Sequence, residues 1–145
     1  MRSYSVKTIG YWMTTGLIAA AFVVGGAIDA AAPPPAVAFV AHLGYPAYFG
    51  TLIGVWKVLG GVAVLAPRFP RLKEWAYAGI FFDLTGAAIS HAATGDGISN
   101  VIAPLALAAI AVASWRLRPR SRKLGAVAAS AIESTRFAVA AKAAA

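Results

Sequence analysis

Four long apolar stretches dominate this sequence and decide what the chain can fold into. Each is close to the ~20 residues that an α-helix needs to cross about 30 Å of hydrocarbon. With 60% hydrophobic and only 12% charged residues, the chain is also too apolar for an ordinary soluble domain. We therefore predict an all-α membrane protein with a four-transmembrane-helix bundle. The predicted spans cover approximately residues 9–29, 47–66, 74–94 and 98–116.

The basic residues alternate between the segments that connect these stretches. Arg2 and Lys7 precede the first stretch, three basic residues lie in 67–73, and seven follow from Arg116 onward, whereas segments 30–46 and 95–97 contain none. The positive-inside rule then places both termini in the cytoplasm. We expect a multi-pass protein of a bacterial-type inner membrane. Topology explains the net charge of +8, so we expect the lipid bilayer and no nucleic acid as partner.

The chain divides into a transmembrane domain, residues 1–118, and a basic Ala-rich cytoplasmic tail, residues 119–145. We expect the tail to be helical, with three alternatives open: a helix on the inner leaflet, an arm that binds a partner subunit, or a solvated extension. At the other end, the first stretch is predicted to be a retained helix. The small residues around Ala30 leave a cleaved signal peptide as an alternative.

Three consecutive prolines, Pro33 to Pro35, follow the first stretch. Proline lacks the backbone N–H and clashes with the preceding turn of a helix, so it cannot continue one. The sequence therefore predicts an extended loop between the first and second spans.

Lys57 and Asp83 are charged residues placed well inside apolar stretches. A charge at the centre of a membrane helix costs roughly 2.5–3.5 kcal/mol on insertion scales, and pairing offsets part of that cost. Lys57 lies nine residues before Ala66, and Asp83 lies nine residues after Glu74. Both are therefore about 13 Å from the same boundary. We predict that the two side chains face each other as an intramembrane ion pair, and we take them as candidate catalytic residues.

Small residues flank both charges at helical spacing, which favours close helix packing on those faces. On the second stretch these are Gly50, Gly54, Gly60 and Gly61, and on the third they are Ala76, Gly79, Gly86, Ala87 and Ser90. Two interpretations stay open for the pair. It is either part of a proton, ion or ligand site, or a structural pair that only fixes helix register. The sequence leaves its protonation state undecided.

Three further residues are candidates for binding a cofactor. Trp56 is next to Lys57 at mid-depth, where its indole N–H needs a partner, so we expect it to line a pocket. Ser90 and His91 lie towards the outer end of the third span, in the same zone as His42, Asp29 and Asp96. Interfacial hydrogen bonding is the simpler role for the histidines. Haem and metal binding are less favoured alternatives, and we predict no metal site.

Several classes of chemistry are excluded by the residues that the sequence lacks. It contains no cysteine, which excludes disulfides, thiol catalysis and iron–sulfur ligation. It also has no Gly-rich phosphate loop, no HExxH motif and no Ser–His–Asp arrangement. Hydrolase and nucleotide chemistry are therefore not supported.

Several short motifs resemble those of the DoxX-like family of small four-helix membrane proteins. They cover roughly residues 10–118 in one order, and the position of Asp29, where family members often have Lys, departs from the pattern. The matching residues are Tyr11-Trp12, Thr15-Gly16, Leu43 to Phe49, Gly54 to Lys57, Pro67 to Gly79, Gly86-Ala87, Ser90-His91 and Gly95-Asp96.

The resemblance implies a four-helix bundle and membrane redox work, because the family is named after a subunit of a thiosulfate–quinone oxidoreductase. We therefore expect a redox-linked subunit in which Lys57 donates to a quinone carbonyl or a substrate anion, Asp83 holds Lys57 charged and relays protons, and Trp56 lines the pocket. The alternative is a non-catalytic accessory or assembly subunit of a larger membrane complex, with other membrane protein subunits as partners. Small-solute transport is a weaker third hypothesis, since four spans without a discontinuous helix are few for a transporter.

Overall fold

A computed structural model describes residues 6–67, 69–119, 122–125, 132–136 and 139. Its five principal helices are α1 (Val6–Ala31), α2 (Pro34–His42), α3 (Ala47–Leu65), α4 (Pro70–Ala93) and α5 (Ile98–Leu117). In the described part of the chain all regular structure is helical, which confirms the all-α prediction. The four long helices begin and end within four residues of the predicted spans.

Three of these helices, α1, α3 and α5, are long and apolar enough to cross a membrane. The chain is therefore a multi-pass membrane protein by its candidate spans. α4 has 24 residues but is less apolar, since it contains Asp83 and His91 and begins with Arg71, Lys73 and Glu74. Its length alone is sufficient for about 36 Å of rise.

The prediction of an extended loop after the first span is wrong, because α2 occupies most of that segment. Pro33 is the N-cap of α2, and Pro34 and Pro35 lie in its first turn. Proline ends a helix that precedes it, but it is tolerated in a first turn, where the backbone N–H has no intrahelical partner. The proline run therefore separates two helices. α2 ends at His42, and Gly44 at φ +84° turns the chain into α3.

α1 and α3 cross at glycines. A Cβ atom on Gly54 would lie 2.7 Å from the Gly26 carbonyl oxygen and would also collide with the backbone of Ala30. A Cβ atom on Gly26 would lie 2.8 Å from the Cβ of Lys57. The small-residue face of α3 therefore packs mainly on α1, and Gly50 contacts Val40 of α2. This corrects the prediction that the face turns towards α4, because α1 supplies the matching small residues.

A continuous apolar core joins α1, α3, α4 and α5. It is built from buried residues of all four helices, including Ile18, Phe22, Val64, Ile80 and Leu84.

Three buried hydroxyls form a polar chain beside this core. Ser114 of α5 lies 2.6 Å from Thr15 and 2.7 Å from Tyr77, oxygen to oxygen. These bonds join α1, α5 and α4.

Lys73 closes the end of α3. Its ammonium group is fully buried and donates to the carbonyl oxygens of Ala63 and Val64 in the last turn of α3. A cation is stabilising there, because the last carbonyls of a helix have no intrahelical partner and carry partial negative charge.

The predicted tail helix falls largely outside the described residues. In the part of the tail that is described, residues 132–136 are helical and exposed. Arg120 and Lys142, which the sequence assigns to the basic tail, lie outside the described residues.

Candidate functional site

Lys57 forms an ion pair with Asp29. Lys57 extends from the middle of α3 and donates to Asp29 Oδ2 near the end of α1, at a distance of 2.8 Å. Each of the two side chains is 23% exposed. The Lys57 ammonium passes over Gly25, where an added Cβ would lie 3.6 Å from Nζ. The glycine crossing of α1 and α3 thus brings a cation and an anion together inside the bundle.

Asp83 is the third member of this charged group. It lies on α4, and the charges of Lys57 and Asp29 both act on it. Among the described residues, Lys57 pairs with Asp29 and not with Asp83, which corrects the predicted pairing. The reason is the close α1–α3 crossing, which places the carboxylate of Asp29 nearer to Lys57 than that of Asp83. Asp29, Lys57 and Asp83 therefore form one group where α1, α3 and α4 meet.

An apolar cavity lies on one side of the charged group, between α3 and α4. Its volume is about 410 Å³. Trp56 and Trp75 lie on its wall and are 63% and 81% exposed, so the cavity opens at the outside of the bundle. Lys57 and Asp83 are the charged residues among those that line it. Both charged side chains therefore border a space that opens at the outside of the bundle.

A second cavity of about 270 Å³ lies on the other side of the same charges. Asp29, Lys57 and Asp83 line it together with Tyr45, Phe49 and Ser90, among others. The Tyr45 hydroxyl lies 2.8 Å from the Ser90 hydroxyl. Lys57, Asp83 and Ile53 border both cavities. The charged group therefore stands where two apolar spaces meet.

Two glycines of α4 contribute to these cavities and not to close helix packing. Gly79 lines the larger cavity and Gly86 the smaller one. A Cβ atom added at either position would meet nothing within 4 Å. The small-residue face of α4 was predicted to pack closely on the second span. The structure shows that at Gly79 and Gly86 it borders open space.

Asp96 joins two histidines beside the C-terminal end of α4. Its carboxylate oxygens lie 2.7 Å from His42 Nε2 and 2.5 Å from His91 Nδ1. Hydrogen bonds from His91 and then from His42 hold the pKa of Asp96 below its ordinary value of 3.8. This bridge ties the end of α2 to the end of α4. Among the described residues, no group of three or more acidic, histidine or cysteine side chains is arranged to hold a metal ion.

The candidate residues from the sequence separate into three places. Lys57, Asp83 and Trp56 line the larger cavity, and Ser90 lines the smaller cavity. His91 pairs with Asp96.

Sequence reasoning placed Asp29 in the outer zone and missed its bond to Lys57. It also assigned no role at this site to Tyr45, which lines the smaller cavity. The sequence did contain a signal for the position of Asp29. Asp29 lies three residues after Gly26, and the glycines of that span can pack against Gly54 of α3.

The sequence pattern of the DoxX-like family matches residues 13–114, which is more than half of the chain. The chain belongs to the DoxX-like family. Neither the curated proteins nor the solved structures that were compared contain a match. The DoxX-like match includes all three charges, both cavity glycines and the Asp96 bridge. Tyr11, Arg118 and Arg122 lie outside the matched residues.

Proposed function

We propose that this DoxX-like protein binds the headgroup of a membrane quinone beside Lys57 and works as a subunit of a quinone-dependent oxidoreductase. The observation that carries the proposal is the position of Lys57 and Asp83 on the border of two apolar cavities. A quinone has an apolar ring and tail and two carbonyl oxygens that accept hydrogen bonds. An apolar wall with a few fixed donors is the usual construction of a site for such a molecule.

Each candidate residue has a role in this proposal. Lys57 donates a hydrogen bond to a quinone carbonyl, and Asp29 holds its ammonium group at 2.8 Å. Asp83 borders both cavities and exchanges protons with the bound ring. Trp56 forms part of the wall. Ser90 holds the Tyr45 side chain in place on the wall of the smaller cavity through a hydrogen bond. His91 fixes the end of α4 through its bond to Asp96.

The redox balance requires a second protein component. Reduction of a quinone to a quinol takes up two electrons and two protons. The side chains at the site can exchange protons, but side chains of these types do not carry electrons. We therefore propose that the electrons come from a redox carrier in another membrane subunit, so that this chain supplies the quinone site.

We further propose that α4 also crosses the membrane and that both termini lie in the cytoplasm of a bacterial-type cell. Support comes from the antiparallel succession of α3, α4 and α5, and from the basic residues at one end of the bundle. In this arrangement residues 1–118 form one four-helix transmembrane domain, and residues 119–145 form a cytoplasmic tail.

A second function is supported by the contact between Lys57 and Asp29. The pair lies directly beside the tight Gly26–Gly54 crossing, where an ion pair also fixes the register of two helices. If that is its whole role, the protein is a non-catalytic accessory or assembly subunit. The two functions differ in what the removal of Lys57 changes.

Quinone binding can be measured by fluorescence, since Trp56 and Trp75 line the larger cavity. We expect decylubiquinone to quench the tryptophan emission of the purified protein in a saturable manner. Lys57→Met should weaken binding at least tenfold, which corresponds to about 1.4 kcal/mol. Lys123→Met is the matched control, because it removes an exposed lysine that does not line the cavity, and it should bind as tightly as the wild type.

The same titration contains the result that contradicts the quinone site. Unchanged decylubiquinone affinity in Lys57→Met, with the protein folded by circular dichroism, would exclude the proposed donor. A loss of thermal stability in that variant, without any quinone binding to the wild type, would support the accessory subunit instead.

A further inference from the structure

Three cations meet at the end of the bundle opposite to the Asp96 bridge. We call this the basic end and define it by Lys73, Arg118 and Arg122. Lys73 is fully buried, and the positive charges of Arg122 and Arg118 both act on it. The acidic side chain in contact with this group, among the described residues, is Glu74, which accepts from Arg118 Nη2 at 2.7 Å. The basic end therefore has an excess of two positive charges.

Arg118 is held in place with one donor left over. Its side chain is only 2% exposed, and its guanidinium lies 5.3 Å from the Tyr77 ring and 5.5 Å from the Trp115 ring. Nε donates to the Trp115 carbonyl, and Nη2 donates to Glu74. Nη1 is buried and has no hydrogen-bond partner among the described residues. An unpaired charged donor in the interior is costly, so a further group bound beside Nη1 would be stabilising.

Arg122 supplies the accessible part of the basic end. It is half-buried and donates to the Tyr11 hydroxyl at 3.1 Å. Its guanidinium lies 4.8 Å from the Trp12 ring and 5.7 Å from the Tyr11 ring. Aromatic rings thus position both arginines as planar donors, and this is the arrangement that suits a phosphate group.

An apolar groove begins beside Arg118 and runs between α4 and α5. Glu74 and Trp115 line its start. Glu74 accepts hydrogen bonds from Arg118 and from Trp115. Its volume is about 290 Å³, and its remaining lining is mostly apolar: Tyr77, Ala78, Phe81, Phe82, Ala111 and Val112. A groove of this kind that begins next to Arg118 fits a molecule with an anionic head and an apolar chain.

We propose that the basic end is a binding site for the phosphate headgroup of an anionic membrane lipid. Arg118 and Arg122 hold the phosphate, and an acyl chain lies along the α4–α5 groove. Lys73 contributes positive charge while its hydrogen bonds stay on the end of α3. The phosphate monoester of phosphatidate carries about −1.5 to −2 charges at neutral pH, opposite in sign to the excess positive charge of the basic end. This site is separate from the cavities beside Lys57 and does not depend on a quinone.

Lipid binding can be measured on the full-length protein. We expect dioleoyl phosphatidate, added to protein in dioleoyl phosphatidylcholine nanodiscs, to raise the melting temperature and to remain bound in native mass spectra. Arg122→Gln should weaken phosphatidate binding about tenfold or more, as the loss of a hydrogen bond between charged groups predicts. Arg71→Gln and Arg116→Gln are matched controls, because they each remove one exposed charge at the same end and should bind as the wild type does.

Two further variants keep the experiment decisive. Arg118→Gln should abolish the effect of phosphatidate, and if it does not fold, Arg122→Gln decides alone. Ala78→Phe fills the groove from an exposed position and should weaken phosphatidate binding without removing a charge.

Either of two results would overturn the lipid site. One is equal weakening by the control arginine variants, which would indicate unspecific attraction by the basic end. The other is equal stabilisation by inorganic phosphate in pure phosphatidylcholine, which would indicate a site for a free anion.

Discussion

Lys57 has two carboxylates within reach of its charge and hydrogen-bonds to one of them. Lys57 donates one hydrogen bond to Asp29, and the second carboxylate, Asp83, borders the cavities without a hydrogen-bond partner among the described residues. The two acids therefore differ in what their removal does. Asp29 is a positioning residue for Lys57, whereas Asp83 is available to a bound molecule.

Neutralising the two acids should therefore have different effects on stability. Asp29→Asn removes the partner of a mostly buried cation, so we expect a loss of about 1–3 kcal/mol in the free energy of unfolding. Asp83→Asn changes a carboxyl group that has no hydrogen bond to a described residue, and it should cost less than about 0.5 kcal/mol or raise stability. Unfolding in mixed micelles, followed by circular dichroism, measures both. Equal losses in the two variants would contradict the assignment of Asp29 as the partner.

Asp96 predicts a dependence of stability on acidic pH. Hydrogen bonds from His91 and His42 lower its pKa in the folded protein below 3.8, so the folded state favours the carboxylate. The resulting stability is fully present above pH 3.8 and is lost as the pH falls through the lowered pKa. The melting temperature of the wild type should exceed that of Asp96→Asn at pH 6, and the difference should shrink below about pH 4. A constant difference between pH 6 and pH 3 would exclude this role for the carboxylate.

Sequence reasoning at the residue scale correctly brought Lys57 and Asp83 to the same cavities but assigned the wrong ion-pair partner to Lys57. The positions of Lys57 and Asp83 relative to the 67–73 loop placed both charges inside the bundle, and both border the same cavities. The predicted direct pairing of Lys57 with Asp83 was wrong, because a matching position along two helices does not tell which neighbouring helix lies closer to Lys57. Asp29 lies 28 residues before Lys57 on another helix, so only the three-dimensional crossing at Gly26 and Gly54 brings it to Lys57.

At the scale of helices, glycine has two opposite roles in this chain. Gly26 and Gly54 allow the backbones of α1 and α3 to touch, whereas Gly79 and Gly86 on α4 keep space open in the cavities. Residue type and helical spacing are the same in both cases. Only the distance to the neighbouring helix separates a packing glycine from a cavity glycine.

Alanine substitutions should distinguish these two roles. Gly54→Ala places a Cβ against the backbones of Gly26 and Ala30, and we expect a loss of about 1–3 kcal/mol from overpacking. Gly79→Ala meets nothing within 4 Å and should gain about 0.5–1 kcal/mol, since alanine is the better helix former. Thermal or denaturant unfolding of the two variants tests the signs. A stabilised Gly54→Ala would contradict the close crossing of α1 and α3.

For the long helices, the sequence predicted the boundaries best. Apolar length and flanking turn residues placed the ends of α3 and α5 within one residue of their predicted spans. α2 was missed because Pro33 to Pro35 was interpreted as a break alone. Proline ends one helix and also suits the first turn of the next, and a nine-residue helix is too short to stand out by apolar length.

For the whole molecule, the path of α4 determines on which sides of the membrane the two termini lie. α1, α3 and α5 are candidate spans by composition, and three crossings would place the two termini on opposite sides of the membrane. If α4 also crosses, both termini lie on one side. The charge of Asp83 lowers the hydropathy of α4, but the same charge is the one that a site inside the bundle needs. Hydropathy therefore cannot decide this point, whereas the sidedness of the connecting segments can.

Cysteine labelling decides the path of α4 directly, because the chain has no cysteine of its own. Arg71→Cys and Ser99→Cys place single exposed thiols at the beginnings of α4 and α5. If α4 crosses, a membrane-impermeant maleimide should label Ser99→Cys in intact cells and Arg71→Cys only after the membrane is opened. Lys7→Cys is the control for the first terminus and should behave as Arg71→Cys does. Labelling of Arg71→Cys and Ser99→Cys from the same side would show that α4 does not cross, and it would remove the membrane-depth argument for a quinone site at Asp83.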